Sequence, residues 1–123
     1  MPVWTAKEKA LCLWEAVSTK QAEEALILEI GALTSLADYF IICTATSKPQ
    51  SQAIVDAVTH SLLQAGERPI GIEGGEAGLW VLMDCSDVIL HIFRPEIRTF
   101  YNLERLWRDA PQIALPVPKA MVL

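Results

Sequence analysis

An α/β fold on a mixed sheet of about five strands, in the order α-β-β-α-β-β-β-α, is what this 123-residue sequence predicts. Three observations carry the prediction. Apolar residues make up 52% of the chain but fall in short, strand-length runs, none near the roughly 20 residues of a membrane helix. Between the runs lie segments whose apolar residues recur at helical spacing behind capping signals. Residues 79–94 form two apolar-rich runs on either side of Cys85-Ser86, the pattern of a hairpin.

The first element is a helix over about 6–18. Thr5 and Glu8 have capping-box spacing, and Leu11, Trp14 and Val17 recur at helical intervals. Residues 25–30 form a strand, 31–38 a turn, and 39–45 a second strand, rich in aromatic and β-branched residues. The near-continuous apolar character of that second strand predicts a central position with both faces covered. Thr46-Ser47-Lys48-Pro49 starts a helix, with a hydroxyl to cap it and a proline in the first turn. Ile54, Val58, Leu62 and Ala65 make its apolar stripe, and Gly66 supplies the stop.

Residues 68–73 are a short strand. Pro69 removes one ladder donor and points to a sheet edge or a strand end. Residues 74–78 are a glycine loop. In the hairpin that follows, a two-residue loop at Cys85-Ser86 sets Asp84 opposite Asp87, Leu82 opposite Ile89 and Trp80 opposite His91. One face then carries Leu79, Val81, Met83, Val88, Leu90 and Ile92, a core face for a helical layer. The other carries Trp80, Leu82, Asp84, Ile89, His91 and Phe93. Pro95 and Glu96 open a last helix whose apolar stripe is Ile97, Phe100, Leu103 and Trp107. Pro111, Pro116 and Pro118 make residues 111–123 a non-helical tail behind a single domain over 1–110.

Charge narrows the function. Fifteen acidic against ten basic residues give −5, and the lysines and arginines are scattered. A chain that held nucleic acid by itself would need clustered cations to displace phosphate counterions. A basic protein partner fits better, since opposite net fields speed encounter. Residues 1–9 show no signal-peptide core, so the protein is expected to stay soluble in the cytoplasm. Cys12, Cys43 and Cys85 form no CxxC pair and no His sits at ligand spacing, which predicts reduced, mostly buried thiols.

Catalytic patterns find little support. The loop Glu73-Gly74-Gly75-Glu76-Ala77-Gly78 lacks the Lys and Ser/Thr of a phosphate loop, and two carboxylates there would repel phosphate. Asp84 and Asp87 are better read as turn-bonding residues than as a metal or acid/base pair. His60 reads as solvent-facing, and His91 as part of a sheet face rather than a general base. No metal and no cofactor are expected. The surface of Trp80, Leu82, Ile89 and Phe93, rimmed by Asp84 and His91, is either a second core layer or an interface patch. The residues alone leave both readings open.

Three ordered motifs tip the balance towards an interface. Residues 35–42 (SLADYFII) with Thr46-Ser47 and Gln50 come first. Glu73-Gly74, residues 78–84 (GLWVLMD) and residues 87–93 (DVILHIF) follow, and then Arg98, Phe100-Tyr101, Leu103-Glu104 and Leu106-Trp107. Together with Lys20 and Ala22 they resemble the ribosomal silencing factor (Iojap) family over about residues 6–110. The resemblance implies a nucleotidyltransferase-like fold without the catalytic residues. It also implies binding to the large ribosomal subunit through its fourteenth large-subunit protein. Docking of the small subunit would be blocked and translation lowered under nutrient limitation, and the free protein would be a homodimer. It favours Trp80, Leu82, Asp84 and His91 as the partner face, with Tyr101 and Glu104 as lesser candidates. A nucleotide-handling enzyme of the same fold class is the competing reading. Two positions depart from the family pattern: Ser86 stands where glycine is common, and Glu24-Ala25 where an aspartate is.

Overall fold

The structure is a computed structural model that describes residues 4–75 and 77–116. Helix α1 (Ala6–Thr19) opens on the capping box the sequence predicts: Glu8 N–H donates to Thr5 Oγ1 at 3.1 Å, and Thr5 N–H donates to Glu8 Oε1 at 2.9 Å. Strands β1 (Glu23–Glu29) and β2 (Tyr39–Thr44) precede α2 (Lys48–Gln64), which Ser47 caps with Pro49 in the first turn. Strand β3 (Gly71–Glu73) is short; β4 (Trp80–Asp84) and β5 (Val88–Phe93) form the hairpin; α3 (Pro95–Tyr101) and α4 (Leu103–Leu106) close the sequence of elements.

The sheet order is β1-β2-β5-β4-β3, with β2 and β5 parallel and every other pair antiparallel. All six residues of β2 are buried, as its two-sided apolar run predicts. Helices α1 and α2 cover one face, where Ile27, Ile41, Val81, Met83, Leu90 and Ile92 meet Leu13, Val17, Ile54, Val58 and Leu62. This is the aliphatic hairpin face. The other face also holds a core layer: Leu28, Phe40, Ile42 and Phe93 pack with Ala110, flanked by the partly buried Trp80, Ile97, Leu103 and Trp107.

Three expectations need correction. The hairpin register is two residues from the predicted one: Trp80 pairs with Phe93, Leu82 with His91 and Asp84 with Ile89, so the loop is Ser86-Asp87. Cys85 N–H donates to Val88 O at 2.9 Å, and Ser86 takes φ +75, the left-handed conformation that glycine would hold without strain. Asp84 Oδ1 accepts from Ser86 N–H at 2.9 Å and supports it there. The last helix is broken at Asn102, whose φ of 47° ends α3 and whose side chain caps α4. Of the stripe expected to face inward, Ile97, Leu103 and Trp107 are partly buried against the core, but Phe100 is 80% exposed.

The third correction concerns the tail. Glu29 N–H donates to Pro111 O at 2.8 Å, Ile113 N–H donates to Ile27 O at 3.0 Å, and Gln112 bridges Leu28. Residues 111–113 therefore cover the outer edge of β1, and Pro111 takes a position where only its carbonyl is needed. Residues 117–123 of the expected tail lie outside the described residues. The opposite edge, β3, is the one that Pro69 marks.

Candidate functional site

The strand alternation of the hairpin puts Trp80, Leu82 and Asp84 on the same face as Ile89, His91 and Phe93, despite the changed register. Trp80 is half-buried. Its ring lies 4.9 Å from Phe93 at 31° and 4.7 Å from Tyr101 at 48°, both within the range of favourable aromatic contacts. Tyr101 is 51% exposed and meets the more exposed Phe100 edge-on at 5.1 Å. Trp80, Tyr101 and Phe100 thus form one continuous aromatic run from the second core layer out to solvent. Leu82 borders an open depression with Glu73, Gly74 and Trp80. Gly74 has φ +81, and a Cβ there would stand 2.0 Å from Trp80 O, so only glycine lets the loop lie against this strand.

His91 is not on the rim. It is 5% exposed, with Phe40 edge-on at 4.8 Å, and its Nδ1 accepts the Nε1–H of Trp80 at 3.2 Å. That bond puts the imidazole proton on Nε2, which is buried and has no partner among the described residues. An unpaired buried donor costs about 1–3 kcal/mol. Burial also pushes the His91 pKa down to about 4. Its folded-state value lies below the ordinary 6.5, so neutral His91 contributes stability above that value and the contribution is lost as pH falls towards 4. Unfolding free energy should drop by about 3 kcal/mol across that window. Denaturant titrations at several pH values will show it, and the drop should be absent from His91→Phe.

Asp84 stands four residues along β4 from Trp80, roughly 13 Å at the strand rise. Its carboxylate is committed to Ser86 of the turn. Glu104 accepts from Arg98 Nε at 2.9 Å, and Arg98, itself buried, donates to Thr44 Oγ1 at 2.8 Å. The structure therefore brings Trp80, Leu82 and Tyr101 together, fixes Glu104 through Arg98, sets Asp84 apart and buries His91.

One functional group escaped the sequence reading. Lys9 is 2% exposed and donates to Glu67 Oε1 at 2.7 Å, Asp87 Oδ1 at 2.7 Å and Cys85 O at 2.6 Å. Burial works to lower its pKa, but Asp87 and Glu67 outweigh that and hold it above the ordinary value. Glu67 also resists burial: Lys9 and the Trp4 indole N–H hold it below the usual carboxylate value. The available signal was a lysine one helical turn before Leu13, inside the apolar stripe of α1. This network accounts for Asp87 as a structural residue. Burial pushes the Cys43 and Cys85 thiols up to about 12, which leaves both protonated and unreactive at neutral pH. His60 is exposed on α2, as expected. Among the described residues no three His, Cys, Asp or Glu side chains converge on a metal site.

Comparison with known proteins agrees along nearly the whole chain. The family described as "Ribosomal silencing factor during starvation" matches residues 4–122. A ribosomal silencing factor of Bacillus subtilis is 40% identical over 96 residues, 78% of this chain and 81% of that one. The corresponding protein of Halalkalibacterium halodurans is 39% identical over 100 residues, 81% of this chain and 86% of that one. A crystal structure of a Chromobacterium violaceum protein superposes with a TM-score of 0.82 at 31% identity, covering 96% of this chain and 98% of the other.

Proposed function

The chain belongs to the family of ribosomal silencing factors, and from that premise we propose that it binds the large ribosomal subunit and blocks association with the small one. Translation is thereby repressed when nutrients are short. The contact is to the fourteenth large-subunit protein and is made by the aromatic run, with Trp80 and Tyr101 as anchors and Leu82 beside them. Glu104 is a polar contact held in place by Arg98, and Asp84 lies at the margin. Repression follows from steric exclusion and needs no catalysis. The proposed place of action is the cytoplasm, with the ribosomes, and the free protein is proposed as a homodimer.

One observation carries this reading. A half-buried tryptophan supported from below by Phe93 and His91 continues into Tyr101 and Phe100 at the surface. Trp and Tyr anchors of that kind dominate binding energy at protein interfaces. The net charge of −5 favours a basic protein as partner.

Cosedimentation with purified large subunits tests the proposal. Binding should need neither nucleotide nor small subunit, and added small subunits should fail to join the occupied particles. Affinity should fall only modestly as salt rises, because a protein contact releases few counterions. A steep log–log slope would mean that ribosomal RNA phosphates carry the contact. Stoichiometric, magnesium-dependent nucleotide binding would favour the enzyme reading instead.

A further inference from the structure

His91 is a poor choice for its surroundings on stability grounds alone. Phe40, Trp80 and Phe93 enclose it, its Nε2 has no partner among the described residues, and a phenyl ring would fill the same apolar space without an orphaned polar atom. What a phenyl ring could not do is accept a hydrogen bond. The one polar bond His91 makes is to the indole N–H of Trp80, at 3.2 Å.

We propose that His91 is the positioning residue of the binding face: its Nδ1 fixes the Trp80 indole in the orientation that receives the partner. The proposal rests on the reading of Trp80 as the partner anchor. Phe93 supports the ring from one side at 4.9 Å and Tyr101 packs on it at 4.7 Å, but such ring contacts are less directional than a hydrogen bond and do not select where the indole N–H points. The hydrogen bond does, because it is directional and comes from a side chain that is itself locked by burial. An indole ordered on folding need not be ordered on binding, which is worth roughly two- to tenfold in affinity.

The charged and titratable groups on the surrounding elements are Tyr39, Cys43, Glu73, Asp84, Arg94, Glu96, Arg98, Tyr101, Glu104 and Arg105, and among the described residues none of them bonds the imidazole. Loss of the bond on acidification therefore belongs to His91 itself. When Nδ1 takes a proton it becomes a donor and can no longer accept from the indole.

The test compares the wild-type chain with His91→Phe and His91→Asn. Three quantities are read: the Trp80 indole N–H signal by nitrogen-15 NMR, large-subunit cosedimentation, and the unfolding midpoint. His91→Phe should expose the indole N–H to solvent exchange and weaken binding roughly two- to tenfold, without lowering the midpoint. Asn carries an amide oxygen close to where Nδ1 stands, so His91→Asn should restore the indole signal and the binding even if it is less stable. Should His91→Phe fail to fold, acid titration of the wild type replaces it, and the indole signal should shift as pH falls through about 4. Wild-type binding that His91→Phe leaves unchanged overturns the proposal, as does an indole signal indifferent to both variants and to acid. A wild-type chain that does not cosediment overturns the ribosome-binding reading instead, and the indole signal still reports on the hydrogen bond.

Discussion

Trp80→Ala should weaken binding to the large subunit by at least roughly thirtyfold, about 2 kcal/mol, and leave a folded protein. The size follows from what the side chain does in the fold. It is the only member of the aromatic run that touches both the buried layer, through Phe93 and His91, and the exposed one, through Tyr101. Removing it takes away the anchor and the support for Tyr101 together. A stability cost comes with it. A fully buried Trp replaced by Ala costs about 3–5 kcal/mol, and a half-buried one about 2 kcal/mol. In a chain of this length that lowers the melting temperature by roughly 6–12 °C. Binding measured well below the new midpoint separates the two effects. A well-folded Trp80→Ala protein that still binds subunits would remove Trp80 from the site. Collapse of the fold would return it to the core, and the interface would have to be sought around Tyr101 and Glu104.

Lys9→Ala should have the largest effect on stability, about 3 kcal/mol. Lys9 joins α1 to the α2–β3 connection through Glu67, and to the hairpin turn through Asp87 and Cys85 O. Removing one side of a buried ion pair costs about 3–5 kcal/mol because the remaining charges lose their partner. The low end applies here, since both carboxylates still reach water. Lys9→Met keeps the aliphatic stem in its slot and should cost about 1 kcal/mol less. The pH dependence has a definite sign. Glu67 is held below the usual value, so its contribution is present at neutral pH and lost as pH falls through that lowered value. Lys9 is held above 10.5, so its contribution is lost only as pH rises beyond that. Both are in force at pH 7. A Lys9→Ala midpoint within error of the wild type would show that the network carries no net stability.

The sequence by itself determined what repeats locally. The Thr5-Glu8 box opens α1, Ser47 and Pro49 open α2, and the two-sided apolar run of β2 puts that strand inside the sheet with both faces covered, although the central place belongs to β5. The alternation assigned the residues of β4 and β5 to their correct faces, while Leu79, expected on the core face, lies before β4 and is 49% exposed; three ordered motifs identified the family. Tertiary structure decided the rest, for reasons visible at particular residues. A strand pattern has a period of two, so a slip by one residue would turn every side chain over, but a slip by two preserves both faces. Alternation therefore could not choose between Trp80 opposite His91 and Trp80 opposite Phe93. The chosen register places the loop at Ser86-Asp87, where Lys9 holds Asp87 and Cys85 O from a helix more than seventy residues earlier. Asn102 breaks the last helix although the apolar spacing runs straight through it, because its own side chain caps α4 and the left-handed turn costs Asn less than most residues. Residues 111–113 hold no periodic signal, yet β1 needs partners for its outer backbone groups. The burial of His91, and with it the orientation of Trp80, depends on Phe40 from the parallel strand β2. Periodicity is a property of one segment; which segments meet, and at what offset, is set by packing between them.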